Sequence, residues 1–439
     1  MIELILPMIM AIIIFLLFSW RLSFQVKTNL FGELGFIYIG LTLAYTVLPA
    51  IAFIYGSLND SDPLNKLLPS SHELGIHLWR HVLFIFGISL GYLVLRGKQK
   101  PEVSLNFPVI KNNHVMIIFL SGILILCISF LTITSSPVES YYDHFTRYDH
   151  LPWYGKKFAS LFSRLKYGFY AALFTISFYN YKKYRIFIAV SLVVICIYEV
   201  TYSFGARIMV LFILLQVLCL YNLFVKPISL KKGALAVFAL GLLFSVIELF
   251  RSLEFDFGKA KDSVSEDGLK SASEFGSVFF PGFHLYSERA NGTLPPIEWQ
   301  MFFNDFISMF TFGDFSKWNP MDWYAKNYFP DFDVAPFTLG PIADSAIWGG
   351  EIDLLIRSIV NGLFFAYLVK LFIRFSNRWW AIMLYSYIFA TSIMTLKYSV
   401  FYILTPLLKT IVPTLLIIYL VKYILETFAI KKPNQVQFK

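Results

Sequence analysis

The chain holds eleven separate apolar runs, each about as long as the ~20 residues that a helix needs to cross a ~30 Å hydrocarbon core. They fall near 3–20, 34–56, 75–95, 115–134, 158–180, 186–203, 206–225, 233–250, 353–373, 379–396 and 400–425. Backbone polar groups inside a bilayer must be satisfied within the segment, so runs of this length read as helices. Composition agrees: 57% of the 439 residues are hydrophobic, 19% aromatic and only 15% charged. A water-soluble domain carries ~25% charge and cannot hide so much apolar surface. The expected fold is an all-α polytopic membrane protein with about 11 transmembrane helices, 10–12 if the broken stretch near 391–405 is irregular or re-entrant. The three cysteines, Cys127, Cys196 and Cys219, all lie in apolar runs, so no disulfide framework and no zinc spacing is expected. Met1-Ile2-Glu3-Leu4 lacks a basic stretch ahead of the first apolar run, so that run is expected to stay as a membrane helix.

Orientation follows from the bases in short loops. With the N-terminus outside and the C-terminus inside, the inner side collects 19 Lys and Arg, including Arg21, Arg96, Lys182, Lys232, Arg378 and Lys431, against Glu33, Glu102 and Glu426. The opposite orientation would put nearly all of these outside. Residues 1–250 then form a membrane domain of eight helices, 251–352 a large outer loop, and 353–439 a membrane domain of three helices with a short basic tail. The outer loop carries 15 acids and 7 bases, a balance of −8. Loops of that length are functional or disordered. The aromatic stretches 279–283, 301–312 and 318–323 favour order, whereas 256–274 reads as mobile. The run 301–312 is too short to span and suits a position along the membrane surface. The formal net charge of +9 therefore divides into −8 in the loop and +17 elsewhere, and it implies no nucleic-acid partner.

The informative residues are cations that break the inside pattern: Arg80, Arg164, Lys166, Arg207, Arg251, Arg357, Lys397 and Lys409, at or near outer helix ends. Ionisable groups at that depth need a partner or a ligand. Several bases at one face suit a diphosphate, which a guanidinium meets with two parallel hydrogen bonds. Arg80 and Arg164 suit snorkelling to the interface better than a ligand role, and Glu248 with Arg251 suits an i,i+3 pair. Arg207 follows Gly205 at a helix start, where backbone donors add to its charge. Weaker signals are Asp60-Ser61-Asp62, which has the form of a metal-binding carboxylate pair, and the sequon Asn291-Gly292-Thr293, both common by chance; the two Tyr-Asp-His runs at 142–144 and 148–150 suit sugar binding or an interfacial position better than a metal site. No phosphate-binding loop, dinucleotide fingerprint or zinc-protease motif is present, and no metal or other cofactor is expected.

Several stretches resemble one family. They are 203–210 (Ser-Phe-Gly-Ala-Arg-Ile-Met-Val), Phe250-Arg251, Phe280-Pro281-Gly282-Phe283-His284, 335–341 (Ala-Pro-Phe-Thr-Leu-Gly-Pro), Trp348-Gly349-Gly350 and Asn361-Gly362. With one large outer loop in a multi-spanning chain, this layout is similar to the Wzy-type O-antigen polymerases, including the enterobacterial common antigen polymerase. The layout covers nearly the whole chain, while the motifs are loose. Ile208 replaces a small residue of many relatives, and Lys397 stands where the common antigen polymerase has Arg. The resemblance implies a GT-C-like, metal-independent glycosyltransferase of the bacterial inner membrane, with the outer side periplasmic. Its substrate would be undecaprenyl-diphosphate-linked oligosaccharide, and a chain-length regulator and a flippase would be partners of the same pathway. Arg207, Arg251, Arg289 and Lys397 would hold the diphosphate. The base on the acceptor hydroxyl would be His284 or Glu248, with Glu288 and Glu199 also open. An O-antigen ligase is the nearest alternative. A lipid-linked oligosaccharide flippase is another, disfavoured by the few buried charges expected in the first four runs and the absence of repeated halves. A polyprenyl-phosphate-sugar transferase would need a large first outer loop, and this one is short.

Overall fold

The structure is a computed structural model that describes residues 2–26, 30–54, 71–97, 113–136, 147–202, 207–229, 232–233, 272–304, 319–330, 338–398 and 403–430. Among the described residues the regular structure is helical and no strand occurs. Helices α1 (Ile2–Val26), α2 (Leu34–Ile54), α3 (Ser71–Arg96), α4 (Asn113–Thr134), α5 (Trp153–Phe178), α6 (Tyr181–Tyr202) and α7 (Arg207–Phe224) come first. Then follow α8 (Ala272–Asn291), α9 (Pro320–Tyr328), α10 (Pro341–Trp348), α11 (Gly350–Phe375), α12 (Trp379–Thr391) and α13 (Val412–Ile430).

Among the described residues eight helical stretches are long and apolar enough to cross a membrane, so the chain is a multi-pass membrane protein. The expected span 233–250 lies outside the described residues but for Gly233. Two further expected spans form helices but differ from that simple pattern. The first half of α5 carries Lys156, Lys157, Arg164 and Lys166, and burial is nearly continuous only from Leu165 to Phe178. The apolar part of α7 is limited to Met209–Phe224. The stretch expected to be broken is broken: α12 tightens into a 3-10 turn at Ser392–Leu396, and a π turn at Leu407–Ile411 precedes α13.

Burial separates central from peripheral helices. The stretch Trp379–Leu396 is 78% buried, whereas Tyr181–Tyr202 is 22% buried. On α1, Ile5, Ile9, Ile12, Leu16 and Trp20 are exposed, and on α6 Ile186, Val190, Val193 and Ile197 are. These apolar faces are built for lipid. Helix contact in lipid gains little from apolar burial itself, so close packing over small residues carries it. Along the α3–α11 crossing, a Cβ on Gly87 would collide with Ser358, one on Gly91 with the Ile359 carbonyl, and one on Gly362 with the Ile88 carbonyl.

Charges mark the two ends of the bundle. At one end Glu3 of α1 meets His72 of α3 at 3.4 Å. At the other, Glu33 ahead of α2 accepts both Arg96 Nε (2.9 Å) and Nη2 (2.8 Å) at the end of α3, and Tyr92 donates to it as well. Tyr385 of α12 donates to the Gly32 carbonyl beside it. Gly97, at φ 59°, ends α3 in the left-handed region. Glu33 and Arg96 are almost fully buried, and they form an ion pair at this end of the bundle.

Candidate functional site

The described parts of the large loop pack around α8. Its sequence places Phe279, Phe280, Leu285 and Tyr286 in the core and turns His284 and Glu288 to another face. The partner of that second face is α9, whose start is fixed by Pro320 and by the Asn319 side chain accepting from Met321 N (3.1 Å). Trp323 Nε1 donates to the Pro296 carbonyl (3.0 Å), which ties α9 to the strand of chain leaving α8. The i,i+4 pair Tyr324 and Tyr328 then flanks the imidazole of His284. Tyr324 Oη lies 3.0 Å from His284 Nδ1, and the Tyr328 ring packs edge-on at 4.6 Å.

Glu288, one turn along α8, places a carboxylate oxygen 3.8 Å from His284 Nε2, with side chains 18% and 24% exposed. Solvent therefore reaches this centre. Burial lowers the proton affinity of His284 below the ordinary histidine value and outweighs the opposing pull of Glu288. The ring is thus neutral near pH 7 and able to accept a proton. Burial holds both Tyr324 and Tyr328 firmly protonated.

The other expected residues divide into three groups. Arg251 and Glu248 lie outside the described residues, as do Asp60, Asp62 and the first Tyr-Asp-His run. Arg207 is the first residue of α7; its side chain is outside the described set. Lys397 closes the 3-10 turn, its N–H bonded to Met394 O at 3.0 Å, and is half-buried. Arg289 donates through Nη1 to the Ala346 and Ile347 carbonyls (3.0 and 3.2 Å), so part of its guanidinium caps the end of α10.

The remaining cations expected at outer helix ends are mostly engaged. Arg80 bonds Glu351 at 2.9 Å and lies over the Tyr286 ring at 3.9 Å. Arg357 bonds Asp353 (2.5 Å) and Asp344 (3.1 Å). Lys166 is fully buried, 2.8 Å from Glu199, which also accepts from Tyr167 and Tyr170 (3.0 Å each). Its ammonium sits 4.2 Å over the Tyr202 ring, and Arg147 stacks on the same ring at 3.9 Å. Glu199 is therefore sealed inside the bundle, where it meets no sugar hydroxyl. In the second Tyr-Asp-His run, Asp149 pairs with Lys156 (2.9 Å) and His150 with Ser136 (2.8 Å). Among the described residues no group of three or more His, Cys, Asp or Glu is arranged to hold a metal.

Sequence reasoning passed over a second pair of histidines. His77 and His81, four apart on α3, are both buried and lie against Phe279 of α8. The i,i+4 spacing of two histidines in an apolar run was the available signal. Comparison with protein-family models, with curated proteins and with solved structures finds no match to this chain.

Proposed function

We propose that the protein is a GT-C-like glycosyltransferase that joins undecaprenyl-diphosphate-linked oligosaccharide repeat units, as an O-antigen-type polymerase does. In this reading it sits in the bacterial inner membrane with its N-terminus and large loop periplasmic, and a chain-length regulator and a flippase are its pathway partners. The observation that supports the reading best is the partly exposed His284 centre beside α9. In the tautomer whose Nδ1–H donates to Tyr324 Oη, Nε2 presents a lone pair. An acceptor sugar hydroxyl gives its proton to Nε2 while its oxygen bonds the donor's anomeric carbon. The bond from that carbon to phosphate breaks, and its electron pair leaves on undecaprenyl diphosphate. Glu288 stabilises the imidazolium as it forms, because a carboxylate beside a new cation lowers its energy. Arg207, with the backbone N–H groups at the start of α7, and Arg251 meet the diphosphate charge that grows as the bond breaks.

Gene deletion followed by lipopolysaccharide gel analysis tests this. Loss of a polymerase leaves core carrying a single repeat unit, and loss of a ligase leaves bare core with long chains held on the lipid carrier. Arg207→Ala and Arg251→Ala are each expected to remove the ladder at unchanged protein level; a normal ladder in both overturns the diphosphate assignment. A second reading, a lipid-linked oligosaccharide transporter, draws support from the polar groups buried in α3, α5 and α6, which are costly in lipid and typical of transport pathways. Its deletion would strand single units on the cytoplasmic side.

A further inference from the structure

The chain leaving α8 makes a short turn that faces the wrong way for a loop in water. Beyond Gly292, which ends α8 at φ 70°, Pro295 and Pro296 lead into a 3-10 turn at Trp299–Phe303. Met301 N–H closes it by donating to the Glu298 carbonyl at 3.0 Å. Of the four apolar side chains in the turn only Met301 packs inward, at 4% exposure. Trp299, Phe302 and Phe303 are 67%, 52% and 44% exposed. The three rings also gather together: the Phe303 centroid lies 6.0 Å from Trp299 and 5.2 Å from Phe302. A contiguous apolar patch of this kind marks an interaction surface.

The neighbours of Phe302 say what covers the patch. Its ring meets Trp348, the last residue of α10, edge-on at 5.4 Å, and the Arg357 guanidinium lies 5.5 Å from its centre. Arg357 stands on the second turn of α11, so the 3-10 turn runs beside about the first 10 Å of that helix. The 26 residues of α11 rise about 39 Å, more than the ~30 Å of hydrocarbon that a span must cross. Its opening turns therefore pass through the boundary between headgroups and acyl chains. There Ile352, Ile356 and Val360 form an exposed stripe at i, i+4 and i+8, and lipid covers such a stripe on a membrane-crossing helix. Arg357 borders the stripe with its charge met by Asp344 and Asp353. Trp299, Phe302 and Phe303 extend the same apolar surface sideways, and aromatic rings suit that level of a bilayer.

We propose that Trp299, Phe302 and Phe303 are an in-plane anchor, seated in the acyl chains of the leaflet at the Gly350 end of α11, about 5–10 Å into the boundary. Length alone suits 301–312 to the membrane surface; the structure names the side chains that enter lipid and what they hold. Pro296, three residues before Trp299, accepts from Trp323 Nε1 at 3.0 Å. Trp323 belongs to α9, which sets Tyr324 and Tyr328 against His284. The anchor thus pins the His284 centre at a fixed height over the lipid. A substrate carried on a lipid presents its sugar near the headgroups, where a base held at constant height meets it. That consequence rests on the glycosyl-transfer reading, whereas the anchor itself does not.

The test uses full-length protein in lipid nanodiscs, with a nitroxide attached at Phe302→Cys in a Cys196→Ser background; Cys127 and Cys219 are buried. Power-saturation spin resonance compares access to oxygen, which concentrates in lipid, with access to an aqueous nickel chelate. Labels at Ile356→Cys and Thr293→Cys give the lipid and water references. The label at 302 should match Ile356 in its oxygen-to-nickel ratio, at a depth of about 5–10 Å. A label as open to nickel as the one at Thr293 overturns the anchor. So does a label closed to both reagents, which would put a second copy or a partner chain over the turn. Where the cysteine variants do not fold, Trp299→Phe serves in bilayers of lipids brominated near the top of their chains. The emission that this variant lacks should be emission that bromine quenches in the wild type; quenching by aqueous iodide instead overturns the anchor. Neither measurement involves repeat-unit joining, so failure here is separate from failure of the gene-deletion test.

Discussion

At the scale of single residues, the proposed chemistry turns on which proton-accepting groups are both neutral and reachable. His284 is half-buried and keeps access to solvent, whereas Glu199 is held by Lys166, Tyr167 and Tyr170 out of reach. Removing a general base costs about 10²–10⁴ in rate. His284→Gln is accordingly expected to slow repeat-unit joining by about 100-fold or more at unchanged protein level, read in membranes with purified lipid-linked donor. The pH dependence has a definite sign. Burial lowers the affinity of His284 for a proton, so the active neutral ring persists at and below the ordinary value of 6.5. Activity should be flat from about pH 7 to 8 and fall only on the acid side of about 6.5. Glu288 opposes that lowering, so Glu288→Gln should move the acid limb to still lower pH while reducing the maximal rate. A limb that moves upward would remove Glu288 from this role. The same linkage acts on stability: burial of neutral His284 contributes fully above the unfolded value near 6.5 and is lost as pH falls through it.

At the scale of helices, the energetics rest on a few close crossings and one buried ion pair. Gly362 lets α11 approach the backbone of α3 at Ile88 and Tyr92. Gly362→Leu must push the two helices apart, at a cost of about 1–3 kcal/mol or more, read as a lower unfolding temperature in detergent. Glu33 receives Arg96 and Tyr92 with almost no solvent contact. Glu33→Gln leaves the guanidinium buried without its counter-charge, and a loss of about 3–5 kcal/mol is expected. A change below about 1 kcal/mol would mean that water reaches this end of the bundle.

These elements show what a sequence can and cannot reveal. The apolar runs were legible because a bilayer demands length and hydropathy, and ten of them are helices in the described residues. The break after Thr391 was legible from its interrupted apolar pattern. What escaped was pairing across the chain. Glu33 stands 63 residues from Arg96, and Lys166 stands 33 positions before Glu199, so neither looked engaged when read alone. The His77–His81 pair was local, four residues apart, yet its partners are Thr46 and Phe279, which folding brings from distant segments. Arg289 looked like a ligand cation because sequence alone does not show the α10 carbonyls that it caps.

For the molecule as a whole, charge decides how the bundle is threaded. The chain carries +9, its 251–352 segment −8 and the rest +17. Bases in short loops resist translocation, so in the proposed reading the basic side stays cytoplasmic. Glu3 and His72 meet at one end of the bundle, and Glu33 and Arg96 at the other. Thr293, just beyond α8, and Lys182, at the exposed start of α6, then belong to opposite sides of the membrane. In a background with Cys196 replaced by Ser, Thr293→Cys in intact spheroplasts should react with a membrane-impermeant maleimide. Lys182→Cys should react only after the membrane is opened. The reverse pattern would invert the protein and place the His284 centre in the cytoplasm. There a periplasmic polymerisation step could not occur, while a protein that loads lipid-linked units from the cytoplasmic side would remain consistent with the same helices.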